Sequence, residues 1–187
     1  MNKLFEDIAD GALPDLSWSE PAYFNSDHDY KAIDQHPDHD ISLGENLIKD
    51  IYEPLRASPL WNETAFIITY DEHGGFFDHV ALPENIPSPD GINSTDDPFD
   101  FTRLGVRIPT MIVSPYIPKG SVYHAANWTN EVDADPGTGA FDHTSIMSTI
   151  LHKILAPQEG FDMPEYLTAR DYWAATFEWA FDEISEP

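Results

Sequence analysis

The stretch AFIITYDEHGGFFDHV, Ala65–Val80, passes abruptly from an apolar, β-prone run to two carboxylates, a histidine and a pair of glycines, and then to a second Asp-His step. Ala65–Tyr70 predicts a short strand, and its unbroken apolar character suits a strand buried on both faces. In open α/β sheets, ligands bind beyond the carboxyl ends of the strands, and Asp71 and Glu72 occupy that place. Neighbouring side chains on a strand point to opposite faces, so both carboxylates reach one ion only if the strand breaks there. Gly74 and Gly75 supply the backbone freedom for such a break. A plain polar turn is the simpler alternative, but a turn has no need of Asp-Glu-His followed by Asp78-His79.

On the N-terminal side, residues 1–40 carry turn-formers throughout and read as irregular. Asp40 can cap a helix beginning at Ile41, with Ile41, Ile48, Ile51, Tyr52 and Leu55 mostly on one face. Pro54 is expected to kink or end it. On the C-terminal side, Pro83–Asp100 reads as a long ordered excursion. Thr110–Val113 reads as a second strand bounded by prolines, and residues 115–141 as loop. A helix is predicted from Thr144 to Leu155 with Ile146, Met147, Ile150, Leu151 and Ile154 on its apolar face, and a last helix from Arg170 to Ile184. The order helix, strand, excursion, strand, helix is an α/β pattern. Only two convincing strands are present, fewer than a doubly wound sheet uses.

Two further His/Asp clusters lie beside the ends of regular elements. In DQHPDHD, Asp34–Asp40, either His36 or His39 is a candidate for binding phosphate or stabilising a leaving group; a capped, solvated helix start is the alternative. In FDHTS, Phe141–Ser145, His143 stands at a helix N-terminus, where backbone N–H groups favour anions, while Asp142 or Thr144 serves equally well as a simple cap. No GxSxG, Walker A, GxGxxG or HExxH motif is present.

Composition narrows the chemistry. The 187 residues are 41% hydrophobic and 13% aromatic, which is globular rather than disordered. The formal charge is −25 with nine Lys and Arg, which argues against nucleic-acid binding, since phosphate contacts need a basic face. An anionic substrate would need local compensation for this field, most simply a metal ion. Arg103, Arg107 and Lys119 are read as structural ion-pair partners in so acidic a chain, with contact to phosphate as the alternative. Cysteine is absent, so a metal would take oxygen or imidazole ligands. No apolar run approaches the roughly 18 residues of a membrane span. Residues 1–20 lack the basic start and apolar core of a secretory signal, which favours the cytosol if that start is native. Three glycosylation sequons, at Asn62, Asn93 and Asn127, lean instead toward a secretory parent.

These residues carry a resemblance. LPDLSWSEP, DQHPDHD, GENLIKDIYEPLRASPLWN, ITYDEHGGFFDHV, PSPDGI, FTRLGVRIPTMIVSPYI, FDHTS and LTARDYWAATFE follow one another in the order found in the phosphoesterase family. That family contains bacterial phospholipase C and acid phosphatases, and the chain is most similar to the plant-type non-specific phospholipases C. The resemblance implies an α/β fold with a partial alkaline-phosphatase-like core, a mostly parallel sheet flanked by helices. It implies hydrolysis of phosphate esters through a metal-assisted phospho-enzyme, with phospholipids or other phosphate esters as substrate. Carried over by residue, Asp71 and Glu72 match the carboxylate pair that binds a divalent metal ion. His36 matches a histidine of the phosphate site, and His143 lies in the DHTS-type motif near it. His73 is a further catalytic candidate, with Asp78 and His79 as residues that shape the loop.

The family's N-terminal Glu-Asn motif and the segment carrying its Ser/Thr nucleophile are not matched. Residues 1–187 are therefore expected to form the C-terminal part of one phosphoesterase domain, to pack against the unmatched N-terminal half, and to be inactive alone. An acid phosphatase, or a non-catalytic fragment that binds metal or a partner, is the alternative.

Overall fold

The computed structural model describes residues 2–24, 31–95, 98–125, 129, 135–156, 158 and 166–182. They form two compact units, Met1–Phe76 with Ile108–Pro115, and Phe77–Arg107 with Tyr116–Glu186.

The first unit opens with a helix, α1 (Asn2–Asp10), where an irregular segment is expected. Its Leu4 and Ile8 lie one turn apart on one face. Ile8 is buried with Leu55 and Trp61, and Leu4, Leu13, Phe66 and Val113 pack around them. A helix this short is held by such packing rather than by its own propensity. It stops at Gly11, whose φ of 65° lets the chain turn back. The Gly11 N–H donates to Ile8 O at 3.3 Å and the Ala12 N–H to Asp7 O at 2.8 Å, the paired bonds of a Schellman ending.

Helix α2 (Ile41–Ala57) begins where its cap predicts. Asp40 accepts from the Ser42 N–H at 3.0 Å and from the Ser42 hydroxyl at 2.7 Å. Pro54 does not end it. Three more residues follow, because Leu55 is buried in the core and anchors the final turn. The buried face is Gly44, Ile51 and Leu55; Ile41 and Tyr52, expected inside, are exposed. A 3-10 turn, Pro59–Glu63, then buries Trp61.

Strands β1 (Phe66–Thr69) and β2 (Thr110–Val113) fall where the β-prone runs predict. They pair antiparallel, Phe66 opposite Val113 and Thr69 opposite Thr110. Among the described residues this two-stranded sheet is the whole of the strand structure, apart from a bridge between Glu84 and Arg103. A mostly parallel sheet is thus not what these strands make. Register follows the apolar side chains: pairing Phe66 with Val113 brings both onto the cluster of Ile8, Leu55 and Trp61. Burial on both faces is also corrected, for every β1 residue is only half-buried.

The second unit contains α3 (His143–Ser148), which continues as a π-helical turn, Thr149–Leu155. The segment is helical as predicted, but its buried residues are Ser145, Ser148 and Thr149, while Met147 and Ile154 are exposed. Small hydroxyl side chains let another segment approach closely. Ser148 Oγ donates to Asp171 O at 2.6 Å, and Thr149 Oγ1 accepts from the Phe177 N–H at 3.1 Å.

Helix α4 covers only Ala169–Trp173, with Thr168 and Asp171 forming a capping box. The long final helix expected here ends early because tertiary bonds claim its backbone. The Ala175 N–H turns to Ala140 O at 3.1 Å and that of Phe177 to Thr149. A 3-10 turn, Glu178–Phe181, follows, and Ile184 lies outside the described residues. The core here is Ile86, Trp173 and Ala174, joined by Leu104 and Ala140.

Buried Arg170 ties the excursion to α3. Its Nε donates to Pro87 O at 2.8 Å and its Nη2 to Phe101 O at 2.6 Å, with Nη1 3.5 Å from Asp142. Asn62 and Asn93 of the first two sequons are exposed; the third lies partly outside the described residues. Among the described residues no helix is long and apolar enough to cross a membrane.

Candidate active site

The chain leaves β1 at Tyr70 and turns at once. Gly74 and Gly75 have φ of 66° and 75°, in the left-handed region where a side chain is disfavoured. The break expected at the glycine pair is present. Asp71 and Glu72 are exposed. One Glu72 oxygen accepts from the Gly74 N–H at 2.7 Å and lies 3.5 Å from His73 Nδ1, so the loop is braced by its own carboxylate. His73 is half-buried.

The Asp34–Asp40 loop is also tightly turned, with Gln35 and Asp38 at φ of 64° and 80°. His36 is exposed, its Nδ1 2.8 Å from Pro37 O. His39 Nδ1 is 2.6 Å from Asp34, and the two imidazole centroids are 6.0 Å apart. Burial pushes the Asp34 carboxyl up, but the bond to His39 and backbone N–H groups outweigh it and hold the group below its ordinary range.

These two loops meet. The Tyr70 hydroxyl donates to Gln35 Oε1, and a Cβ placed on Gly74 would stand 3.4 Å from the Pro37 ring. Burial, then the charge of Glu20 and its hydrogen bond, then the charges of Asp71 and Asp34, raise the Tyr23 hydroxyl pKa. The clusters containing His36 and Asp71 are thus side by side in one unit. His143 belongs to the other unit and is the exposed first residue of α3. Asp142 is the cap there, accepting from the Thr144 N–H at 2.8 Å.

The Phosphoesterase family model matches residues 1–154. The chain belongs to the phosphoesterase family. It is 46% identical, over 99% of its length, to a protein of Arabidopsis thaliana named Non-specific phospholipase C6, and covers 34% of that protein. To Non-specific phospholipase C1 of the same plant it is 44% identical over 90% of its length, covering 30% of that protein. Phospholipase C B of Mycobacterium tuberculosis is 28% identical over 88% of the chain, which covers 29% of it. The chain therefore spans about a third of the length of the curated relatives it matches.

All the candidate residues of this family member, His36, Asp71, Glu72, His73 and His143, fall inside the family match. Among the described residues, no three His, Asp or Glu side chains stand close enough together to hold a metal ion. Asp71 and Glu72 are nonetheless exposed, hard oxygen donors. That donor set fits a cation of the magnesium type, which takes one or two carboxylates and fills its shell with water and phosphate oxygens.

Asp78 has a structural role instead. Both its oxygens accept from Arg107, at 2.6 and 2.8 Å, and one also accepts from the Val80 N–H at 3.1 Å. Arg107 is thus an ion-pair partner, as the acidic composition suggests. The Arg107 bonds, then the Val80 N–H, hold the Asp78 carboxyl far below the carboxylate range. The folded group binds its proton more weakly than the unfolded one. The pair therefore adds stability fully above the ordinary Asp pKa of about 3.9, and loses it progressively as pH falls below that value. Carbon-13 titration is expected to show Asp78 still ionised where free aspartate is half protonated, and Arg107→Ala to return it to the usual range. An ordinary midpoint in the unaltered protein would refute the pairing.

Residues that sequence reasoning passed over are Gln35, Tyr70 and Gly44. Only Gly44 carries a local signal, since a glycine inside an amphipathic helix marks a close approach of another segment.

Proposed function

We propose that these 187 residues are the C-terminal part of a phosphoesterase domain. The complete domain cleaves glycerophospholipids in the manner of a phospholipase C, giving diacylglycerol and a phosphorylated headgroup. Asp71 and Glu72 hold a divalent metal ion, with the remaining ligands and the nucleophile of the family's phospho-enzyme route supplied by family segments outside this chain. When bound, the ion supplies Lewis acidity toward phosphoryl oxygens. His36 binds phosphoryl oxygens or protonates the leaving alkoxide, and His73 orients the carboxylate loop from its place beside Glu72; His143 keeps its phosphate-binding assignment on the family's DHTS-type motif alone. On the same reading β1 and β2 form an antiparallel margin of a larger, mostly parallel, alkaline-phosphatase-like sheet, an arrangement common in mixed sheets.

The observation that carries the proposal is the seating of the Asp34–Asp40 loop against the Asp71–Gly75 loop through Tyr70 and Gln35. It supports the reading because the hydrogen-bonded residues immediately precede His36 and Asp71, and phosphoryl transfer needs imidazole and carboxylate groups held together for charge stabilisation and proton delivery.

The test is a chimera in which this chain replaces the matching third of Non-specific phospholipase C6. With magnesium or manganese present, it is expected to hydrolyse phosphatidylcholine. Hydrolysis of p-nitrophenyl phosphate alone would assign an acid phosphatase. Turnover of neither substrate, in a folded chimera, would overturn the enzymatic reading and leave a metal- or partner-binding fragment.

A further inference from the structure

One hydrogen bond in the first unit joins the chain neighbours of two candidate site residues. Tyr70, immediately before Asp71, donates through its hydroxyl to the Oε1 of Gln35, immediately before His36. The other end of the same amide is also committed, Gln35 Nε2 donating to Ile41 O at 3.2 Å in the first turn of α2. Gln35 holds this position with a φ of 64°, a left-handed backbone that a non-glycine residue adopts only when its surroundings impose it.

The surroundings do impose it. Gly44, buried in α2, lies under the Gln35 side chain, and a Cβ there would stand 2.2 Å from Gln35 Cγ and 3.0 Å from Ile33 O. Alanine is the better helix former, so the glycine is explained by the space it leaves. Two elements thus converge on one side chain: α2, with Gly44 beneath it and Ile41 O against its nitrogen, and the exit of β1, with Tyr70 against its oxygen.

We infer that Gln35 and Tyr70 are a positioning pair, with Gly44 as its seat, that sets His36 at a fixed distance from a cation held by Asp71 and Glu72. This rests on the metal reading proposed above. Neither residue touches substrate; the pair acts through the two loops. It converts a strand end and a separate helix-capping loop into one preorganised site, which phosphoryl transfer requires because positioning supplies much of its catalysis.

The test uses the 187-residue protein itself, isotopically labelled and titrated with manganese, whose paramagnetism broadens nearby NMR signals. In the unaltered protein the amides of Asp71–Gly75 and the His36 ring are expected to broaden together at the same manganese concentration. In Tyr70→Phe and Gln35→Ala the Asp71–Gly75 amides still broaden, but His36 broadening is lost, and the double variant loses no more than either single one. Gly44→Ala reproduces the loss without altering either partner, and far-UV circular dichroism checks that each variant is folded. Unchanged His36 broadening in folded Tyr70→Phe and Gln35→Ala would overturn the positioning role while leaving the metal reading intact. Failure of manganese to broaden Asp71–Gly75 in the unaltered protein would overturn the inference as drawn for these 187 residues, while the metal reading of the complete domain is decided separately by chelation of the chimera.

Discussion

Asp71→Asn in the phospholipase chimera is expected to lower phosphatidylcholine hydrolysis by about 10²–10³-fold, the usual loss when one stabiliser of transition-state charge is removed. Its thermal midpoint is expected to stay unchanged. Asp71 is exposed and follows the last residues of β1 without contributing to the apolar cluster, and surface substitutions of this kind rarely disturb stability. Glu72→Gln separates charge from architecture: glutamine can still accept from the Gly74 N–H, so the loop keeps its brace, but the second carboxylate is gone. A similar loss of turnover with an intact loop is expected. Chelation should abolish hydrolysis and added magnesium restore it. Full activity in Asp71→Asn, or hydrolysis that survives exhaustive chelation, would remove these carboxylates from the chemistry.

The largest effect on stability belongs to Trp173. Its ring is 2% exposed and packs with Ile86, Ala174, Leu104 and Ala140, and its Nε1 donates to Thr129 O at 2.6 Å. Trp173→Ala removes the ring, leaves a cavity and strips a carbonyl of its partner. A loss of about 3–5 kcal/mol is expected, a large fraction of the total for any domain. Gly139→Ala attacks the same place from the other side. A Cβ at Gly139 would lie 2.4 Å from the Trp173 ring and from its carbonyl oxygen. That carbonyl also accepts from the Gly139 N–H at 2.7 Å, so the backbone cannot retreat without breaking the bond. Overpacking of this kind costs about 1–3 kcal/mol, and more where backbone is involved. Urea denaturation followed by tryptophan fluorescence and circular dichroism measures both. A loss under about 1 kcal/mol in Trp173→Ala would mean that the ring is not enclosed, since full burial of an aromatic side chain is worth more than that.

Much of the local structure was legible because its causes are local. Asp40 and Asp142 lie within two residues of the N–H groups they cap. The β-prone runs at Phe66–Thr69 and Thr110–Val113 became strands, and the glycine pair broke the chain where charge accumulates. The candidate residues His36, Asp71, Glu72 and His73 were named from composition and family likeness, and their loops prove to be neighbours. What misled was reasoning from one segment at a time. Residues 2–10 read as irregular because their helix depends on Leu55 and Trp61, far along the chain. The apolar stripe of α3 suggested the wrong buried face because Ser148 and Thr149 are claimed by the backbone at Asp171 and Phe177.

By itself, then, the sequence determined where α2, α3, β1 and β2 begin, which residues carry ionisable chemistry, and membership of the phosphoesterase family. Each rests on contacts between near neighbours or on a recurring order of motifs. Only the tertiary structure decided that β1 and β2 run antiparallel, that α4 stops at Trp173, and that Gln35 links the His36 loop to the carboxylate loop through Tyr70. These depend on hydrogen bonds and packing between segments distant in the chain, and no local pattern of side chains records which distant partner will arrive.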